Sequence, residues 1–279
     1  MTVQTGTTAG AATAGVTPGP SPTAWGRERS PTVFLLRGAL IAALLMVWQL
    51  VSDATDSAFW ISSPTAIWGQ LTDWIANGDL FFHLGITLQE MAWGLLFGAT
   101  SGIVAGFVLG LSPTLARIFD PLIMAMYALP KLALAPLFVL WFGIGIVMKT
   151  VLTAVIVFFL VFYNTYAGVR DRDAELIDVL RVMGAQRHHI IRKIVLPGAM
   201  SFVYVGLKLA IPYSLVGAII GEIIASNRGL GFMLMSSAGA FNTKGVFAVL
   251  FVLTLISTFL NAVLNKTEEH VLRWKVAGR

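Results

Sequence analysis

Apolar residues in this chain fall in long blocks rather than at the alternating or one-in-three spacing of a water-facing element. Six blocks, at 33–51, 84–111, 121–142, 147–169, 196–224 and 246–264, each reach roughly the 18–20 residues that a helix needs to cross a bilayer. Pro130 and Pro136 interrupt the third block, and Pro212 lies inside the fifth. Between the first two blocks, residues 63–77 open on Ser63-Pro64 and carry Trp68 and Trp74, with Trp60 just before them. Tryptophan favours the headgroup boundary, so this stretch predicts an interfacial helix. Residues 1–32 are mostly Thr, Ala, Gly, Pro and Ser. Such a segment buries too little apolar surface to offset its ordering entropy and predicts a disordered tail. No basic start leads into an apolar stretch there, so it does not read as a secretory signal.

Lys and Arg set the orientation. With the N-terminus inside, fourteen of them, from Arg27 to Arg279, fall in cytoplasmic segments, against Lys149, Arg228 and Lys244 outside. Basic residues concentrate in cytoplasmic loops, so both termini are expected in the cytoplasm. The expected organisation is a cytoplasmic tail (1–32), a first transmembrane helix (33–52) and an external interfacial helix (60–78). A transmembrane core (84–265) with a cytoplasmic loop (170–197) and a cytoplasmic tail (266–279) complete it. Composition agrees: 57% of residues are hydrophobic and 12% charged, against about 25% charged in soluble domains. The net charge of +5 follows from the basic loops and requires no nucleic acid. There is no cysteine, which excludes disulfides, thiolate metal sites and cysteine nucleophiles.

Gly94, Gly98, Gly102, Gly106 and Gly110 recur every four residues in the second block. On a helix they form a groove without side chains, where another backbone can pack closely. The most charged stretch between blocks is 170–197. Leu176, Ile177, Val179, Leu180 and Met183 give 174–183 a helical apolar face, Gly184 breaks it, and a second amphipathic stretch runs through Ile190, Ile191 and Ile194 to Leu196-Pro197. A helix–Gly–helix hairpin with one oily and one charged side suits docking into a groove on a partner.

Gly184, nine residues, then Ile194-Val195-Leu196-Pro197 resemble the EAA loop, E-A-A-x(3)-G-x(9)-I-x-L-P, of the membrane subunits of ABC importers. The chain departs from it at Asp178-Val179-Leu180, where that loop starts Glu-Ala-Ala. Two further segments are similar to the nitrate/sulfonate/taurine branch of these permeases. One is Ala128-Leu129-Pro130-Lys131-Leu132-Ala133-Leu134-Ala135-Pro136-Leu137, leading to Leu140-Trp141-Phe142-Gly143-Ile144-Gly145. The other is Gly221-Glu222-Ile223-Ile224-Ala225-Ser226-Asn227-Arg228-Gly229-Leu230-Gly231. The resemblance covers roughly 60–270. It implies an all-α membrane protein of about six transmembrane helices, with the type I ABC importer permease (MetI-like) fold. It also implies a homodimer of permeases, a cytoplasmic ATPase dimer that binds the ATP, and an external solute-binding protein. The cargo would be a small anion such as a sulfonate, taurine or nitrate, although relatives in this branch also carry pyrimidine-type vitamin precursors. By the same resemblance Ala174, Glu175, Asp178, Arg181, Gly184, Ala185, Arg187, Ile194, Leu196 and Pro197 couple the permease to the ATPase. Gly184 would form the turn, and Pro197 would begin the fifth span, where its missing N–H costs least.

Lys131 and Lys208 fall deep inside spans. A lysine there costs roughly 2.5–3.5 kcal/mol on insertion scales and usually faces a wet cavity, so both are expected to line the path and favour an anion. Pro130, Pro136, Tyr213 and Glu222 complete the expected path. A surface pair of Glu222 with Arg228 or Lys244 is the plainer expectation for that acid, with Gly229 and Gly231 as a mobile external gate. Glu90 reads as an exposed helix residue. The chain has no G-x-x-x-x-G-K-[ST] phosphate loop and no H-E-x-x-H motif, so neither its own ATPase site nor a metal or cofactor is expected. The alternative reading is an ion-coupled secondary transporter, which calls for internal repeats, broken helices and buried acids.

Overall fold

The computed structural model describes residues 31–54, 58–171 and 174–271. The expected disorder of 1–32 therefore concerns residues that lie, but for the last two, outside the described ones. The described residues fall into two units, divided between Trp48 and Gln49. Helix α1 (Pro31–Ala54) is apolar on all sides, and Leu35, Leu36, Leu40 and Leu44 are exposed, as suits a helix solvated by lipid.

Among its described residues the larger unit consists of helices joined by short turns. After the short α2 (Ala58–Ile61), α3 (Pro64–Ala76) starts where the Ser63 hydroxyl accepts from the Ala66 N–H at 3.2 Å and Pro64 takes the first turn. Helix α4 (Asp79–Leu111) follows. Helix α5 (Pro113–Ala128) begins earlier than the apolar block suggested, because Ser112 caps it and Pro113 starts it. The third span is not one rod. Leu129 turns extended (ψ 134°) and a single 3₁₀ turn (Lys131–Leu134) leads into α6 (Ala135–Phe142), at 80° to α5. Pro130 causes the break, because it bars the residue before it from the helical region. Pro136 causes none, since it lies in the first turn of α6, where an N–H is not needed.

Helix α7 (Ile146–Arg170) leads to α8 (Ala174–Val182), α9 (Arg187–Ile190), α10 (Leu196–Ala225), α11 (Leu230–Gly239) and α12 (Thr243–Val271). Among the described residues, five helices are long and apolar enough to cross a membrane, or six if α5 and α6 make one span. Helix α11 is apolar but too short to cross. Residues 266–271, expected in a tail, continue α12, and the rest of that tail lies outside the described residues.

The core of this unit is the parallel packing of α4 on α7. The glycine stripe meets a β-branched ridge at the same four-residue interval: Thr153, Val157, Val161, Thr165 and Val169, all fully buried. A Cβ on Gly98 would lie 2.5 Å from the Ala154 carbonyl oxygen, one on Gly102 2.8 Å from that of Phe158, and one on Gly106 2.7 Å from Thr165 Cβ. Gly94 and Gly110 are closed in the same way by Thr153 and Val169. β-branched side chains have few rotamers open to them on a helix, so this ridge is stiff where the groove is deepest.

Candidate functional site

Two polar regions stand out, one at each end of the helical core. The first is the hairpin α8–Gly184–α9. Helix α8 ends in a left-handed turn at Gly184 (φ +82°). The Gly184 N–H donates to the Arg181 carbonyl at 3.0 Å and the Ala185 N–H to that of Leu180 at 2.9 Å. These two bonds close the helix end as a Schellman turn, which puts glycine at the position where a side chain is most costly. Beyond Gly184 the chain is helical without a pause from Arg187 into α10. Pro197 therefore does not begin a free-standing helix. A wide π turn (Ile191–Val195) precedes it, with the Leu196 N–H bonded to the Ile191 carbonyl. The π turn absorbs the hydrogen bond that Pro197 cannot make.

The hairpin is seated, not loose. Ile177 and Ile190 are buried with Val169 of α7 and with Val195 and Ala199 at the start of α10, and Phe107, Leu111 and Ala185 pack around them. Arg187 Nη2 donates to the Leu111 carbonyl at 3.2 Å, so it caps the end of α4. The opposite side of α8 is open: Val182 is 89% exposed, Met183 77%, and Val179 lies beside them. Asp178 and Arg181 form an exposed pair at 3.1 Å. Glu175 is exposed, Ile194 and Pro197 are half-buried and Leu196 is exposed. Ala174 opens α8, with its side chain outside the described residues.

The second region lies at the other end of α4 and α7. Glu90 forms an ion pair with Lys149. Glu90 and Glu222 are each 1% exposed and Lys149 3%, so none of the three is a surface residue. This corrects the reading of Glu90 as exposed and of Lys149 as a loop cation. Glu90 precedes Gly94 by four residues and Lys149 precedes Thr153 by four. The pair is thus the next rung of the groove-and-ridge ladder, and that register was present in the sequence. Lys149 Nζ also donates to Ser226 Oγ at 3.0 Å. Glu222 pairs with neither Arg228 nor Lys244. Its Oε1 accepts from Thr87 Oγ1 at 2.7 Å and its Oε2 from the Gly231 N–H at 2.6 Å. The Leu230 N–H donates to Thr87 Oγ1 and the Gly229 N–H to His83 Nδ1, both at 2.8 Å. Three successive amides at the start of α11 are thus held by side chains of α4 and α10. The Glu222 carboxylate occupies the space that a Cβ on Gly229 or Gly231 would fill, and Gly229 also takes a left-handed backbone (φ +104°). Glu90, Lys149, Gln89, Ser226, Asn227 and Arg228 border a cavity of about 850 Å³.

The other expected path residues are not brought together. Lys131 and Pro130 lie at the break between α5 and α6, and Pro136 is exposed on α6. Lys208 and Tyr213 are exposed on α10 but five residues apart, about 140° around the helix.

The chain as a whole is similar to known proteins. The family model for the binding-protein-dependent transport system inner membrane component matches residues 98–271. A putative aliphatic sulfonates transport permease protein of Bacillus subtilis is 31% identical, over 86% of this chain and 88% of its own length. The formylaminopyrimidine transport permease protein of Halalkalibacterium halodurans is 29% identical, over 88% and 95%. A chain of the inward-facing MetNI methionine ABC transporter superposes with a TM-score of 0.60 at 18% identity, covering 68% of this chain and 94% of that one. The chain therefore belongs to the family of binding-protein-dependent transport system inner membrane components, the multi-pass permease subunits of ABC importers.

Proposed function

We propose that this permease is driven by a separate ATPase docked on the α8–Gly184–α9 hairpin, and that it passes a small anion, sulfonate-, taurine- or nitrate-like, into the cytoplasm. The supporting observation is the build of the hairpin. Its inner face is fixed to α4, α7 and α10 through Ile177, Ile190 and Arg187, while Val179, Val182 and Met183 project outward. A push on the outer face is carried into three long helices at once. Coupling through such a contact needs a rigid element and an exposed apolar anchor, and the hairpin has both.

In this reading two copies of the chain flank the path, ATP is bound only by the ATPase pair, and an external binding protein supplies the solute. Both termini are cytoplasmic. With Lys149 now inside a helix, only Arg228 and Lys244 remain as external cations, which strengthens the charge asymmetry behind that orientation. The anion rests on the relatives that transport sulfonates, and the relative named for formylaminopyrimidine marks the range the family spans. An ion-coupled carrier draws support from the broken α5–α6 span and from the buried acids Glu90 and Glu222.

The test is to co-express the chain with its partner ATPase and to place an aspartate at the hairpin tip (Val182→Asp, Met183→Asp). Loss of the co-purified ATPase at unchanged permease level is expected. Retention of the ATPase with unimpaired solute-stimulated hydrolysis would overturn the docking assignment.

A further inference from the structure

We propose that the break in the third span is a primary-ammonium site, which the chain fills from within with the side chain of Lys131. A helix that stops leaves its last carbonyls without partners and its C-terminus partially negative. Here the stop falls inside an apolar span, and Pro130 brings no N–H to meet the carbonyl four residues behind it. Lys131 Nζ donates to the Tyr127 carbonyl at 2.7 Å and lies 3.5 Å from that of Leu129. It is also 4.9 Å from the ring centres of both Tyr127 and Phe159. The Tyr127 ring is itself stacked on Tyr163 of α7, at 5.1 Å, and Phe159 is buried on α7.

Among the described residues, the partners of this ammonium are thus carbonyl oxygens and ring faces rather than a carboxylate. Unwound carbonyls at a broken span are the kind of group that coordinates a free cation in other membrane proteins, and aromatic faces add attraction for an alkylated ammonium. Lysine suits the place because its ammonium is compact and its four-carbon stem reaches back one turn. The bound charge ties the end of α5 to α7 through Phe159 and so holds the 80° bend. Lys131 is by this account a positioning residue, with its charge spent within the chain and not offered to the solute. The inference stands whether or not the proposed cargo is correct.

Removal of the stem should leave a cage that a small amine can refill. In purified full-length Lys131→Ala, thermal unfolding followed by tryptophan fluorescence is expected a few degrees below wild type. Methylammonium or ethylammonium chloride should restore it in a saturable way. Sodium and tetramethylammonium chloride at equal ionic strength should not, because neither offers an N–H to the carbonyls. A wild-type response as large as the variant's would overturn the proposal, as would a variant that answers every salt alike or shows no loss. If Lys131→Ala is too unstable to purify, Phe159→Leu is compared in the Lys131 and Lys131→Met backgrounds. A cage requires the ring to matter more when the ammonium is present than when it is absent. Equal losses in both backgrounds would refute it.

Discussion

Two glycines in one helix separate the packing account from simple helix propensity. Alanine at Gly98 puts a Cβ 2.5 Å from the Ala154 carbonyl oxygen and 2.8 Å from Val157 Cβ, where ordinary contact begins at 3.4 Å. The first obstacle is backbone and the second a stiff β-branched carbon. Relief requires α4 and α7 to part by roughly half an ångström or more, and overpacking of this kind costs about 1–3 kcal/mol. Replacing a mid-helix glycine returns about 0.5–1 kcal/mol. The net loss is roughly 1–2 kcal/mol, which in a chain of this size lowers the melting temperature by about 2–8 °C. Gly85 is in the same helix, and a Cβ there meets nothing within 4 Å. Gly85→Ala should therefore gain the propensity term alone and melt about 1–3 °C higher. The assay is tryptophan-detected melting of both purified variants in one detergent. Equal shifts, or a Gly98→Ala protein as stable as wild type, would refute the close groove.

Other substitutions probe other joints. Thr165 is fully buried and its hydroxyl has no hydrogen-bond partner, so Thr165→Val should melt no lower than wild type and up to about 1 kcal/mol more stable. Lys149→Met leaves Glu90 buried without its partner and should cost about 3–5 kcal/mol, while Lys149→Met with Glu90→Gln recovers part of it; equal melting of the single and double variants would contradict the ion pair. Glu222→Ala strips the Gly231 amide of its acceptor and Thr87 of its bond to α10, so hydrogen exchange over 229–239 should accelerate relative to α7, and unchanged protection would count against the clasp. Gly184→Ala meets open space but keeps a left-handed backbone, at a cost of about 1–2 kcal/mol; solute-stimulated hydrolysis should fall at normal membrane level.

How much of this could be read from the sequence depended on whether the cause was local. Long apolar runs located α4, α7, α10 and α12, and Pro130 marked its own break, since each signal lies in the residues concerned. Gly184 was legible because a glycine between two amphipathic stretches implies a turn. The π turn before Pro197 was not, because it arises only when two helices continue through a proline. Helix α11 was not legible because of its length: ten residues are too few to span a bilayer, so they leave no spanning block in the pattern. The polar cluster joins residues far apart in the chain, such as Thr87 with Glu222, and no local pattern links them. Glu90 and Lys149 are the exception. Each extends a four-residue register already visible, the glycine stripe and the β-branched stripe, and matching the two stripes would have paired them.

The central claim, that this permease is moved by a docked ATPase, is tested most directly by solute uptake into proteoliposomes. These would contain the chain, its partner ATPase and the external binding protein, with ionophores present to collapse every ion gradient. The account predicts uptake that requires internal ATP, persists with ionophores and disappears with the hairpin-tip aspartates. Uptake by the chain alone, driven by an ion gradient and abolished by ionophores, would contradict it.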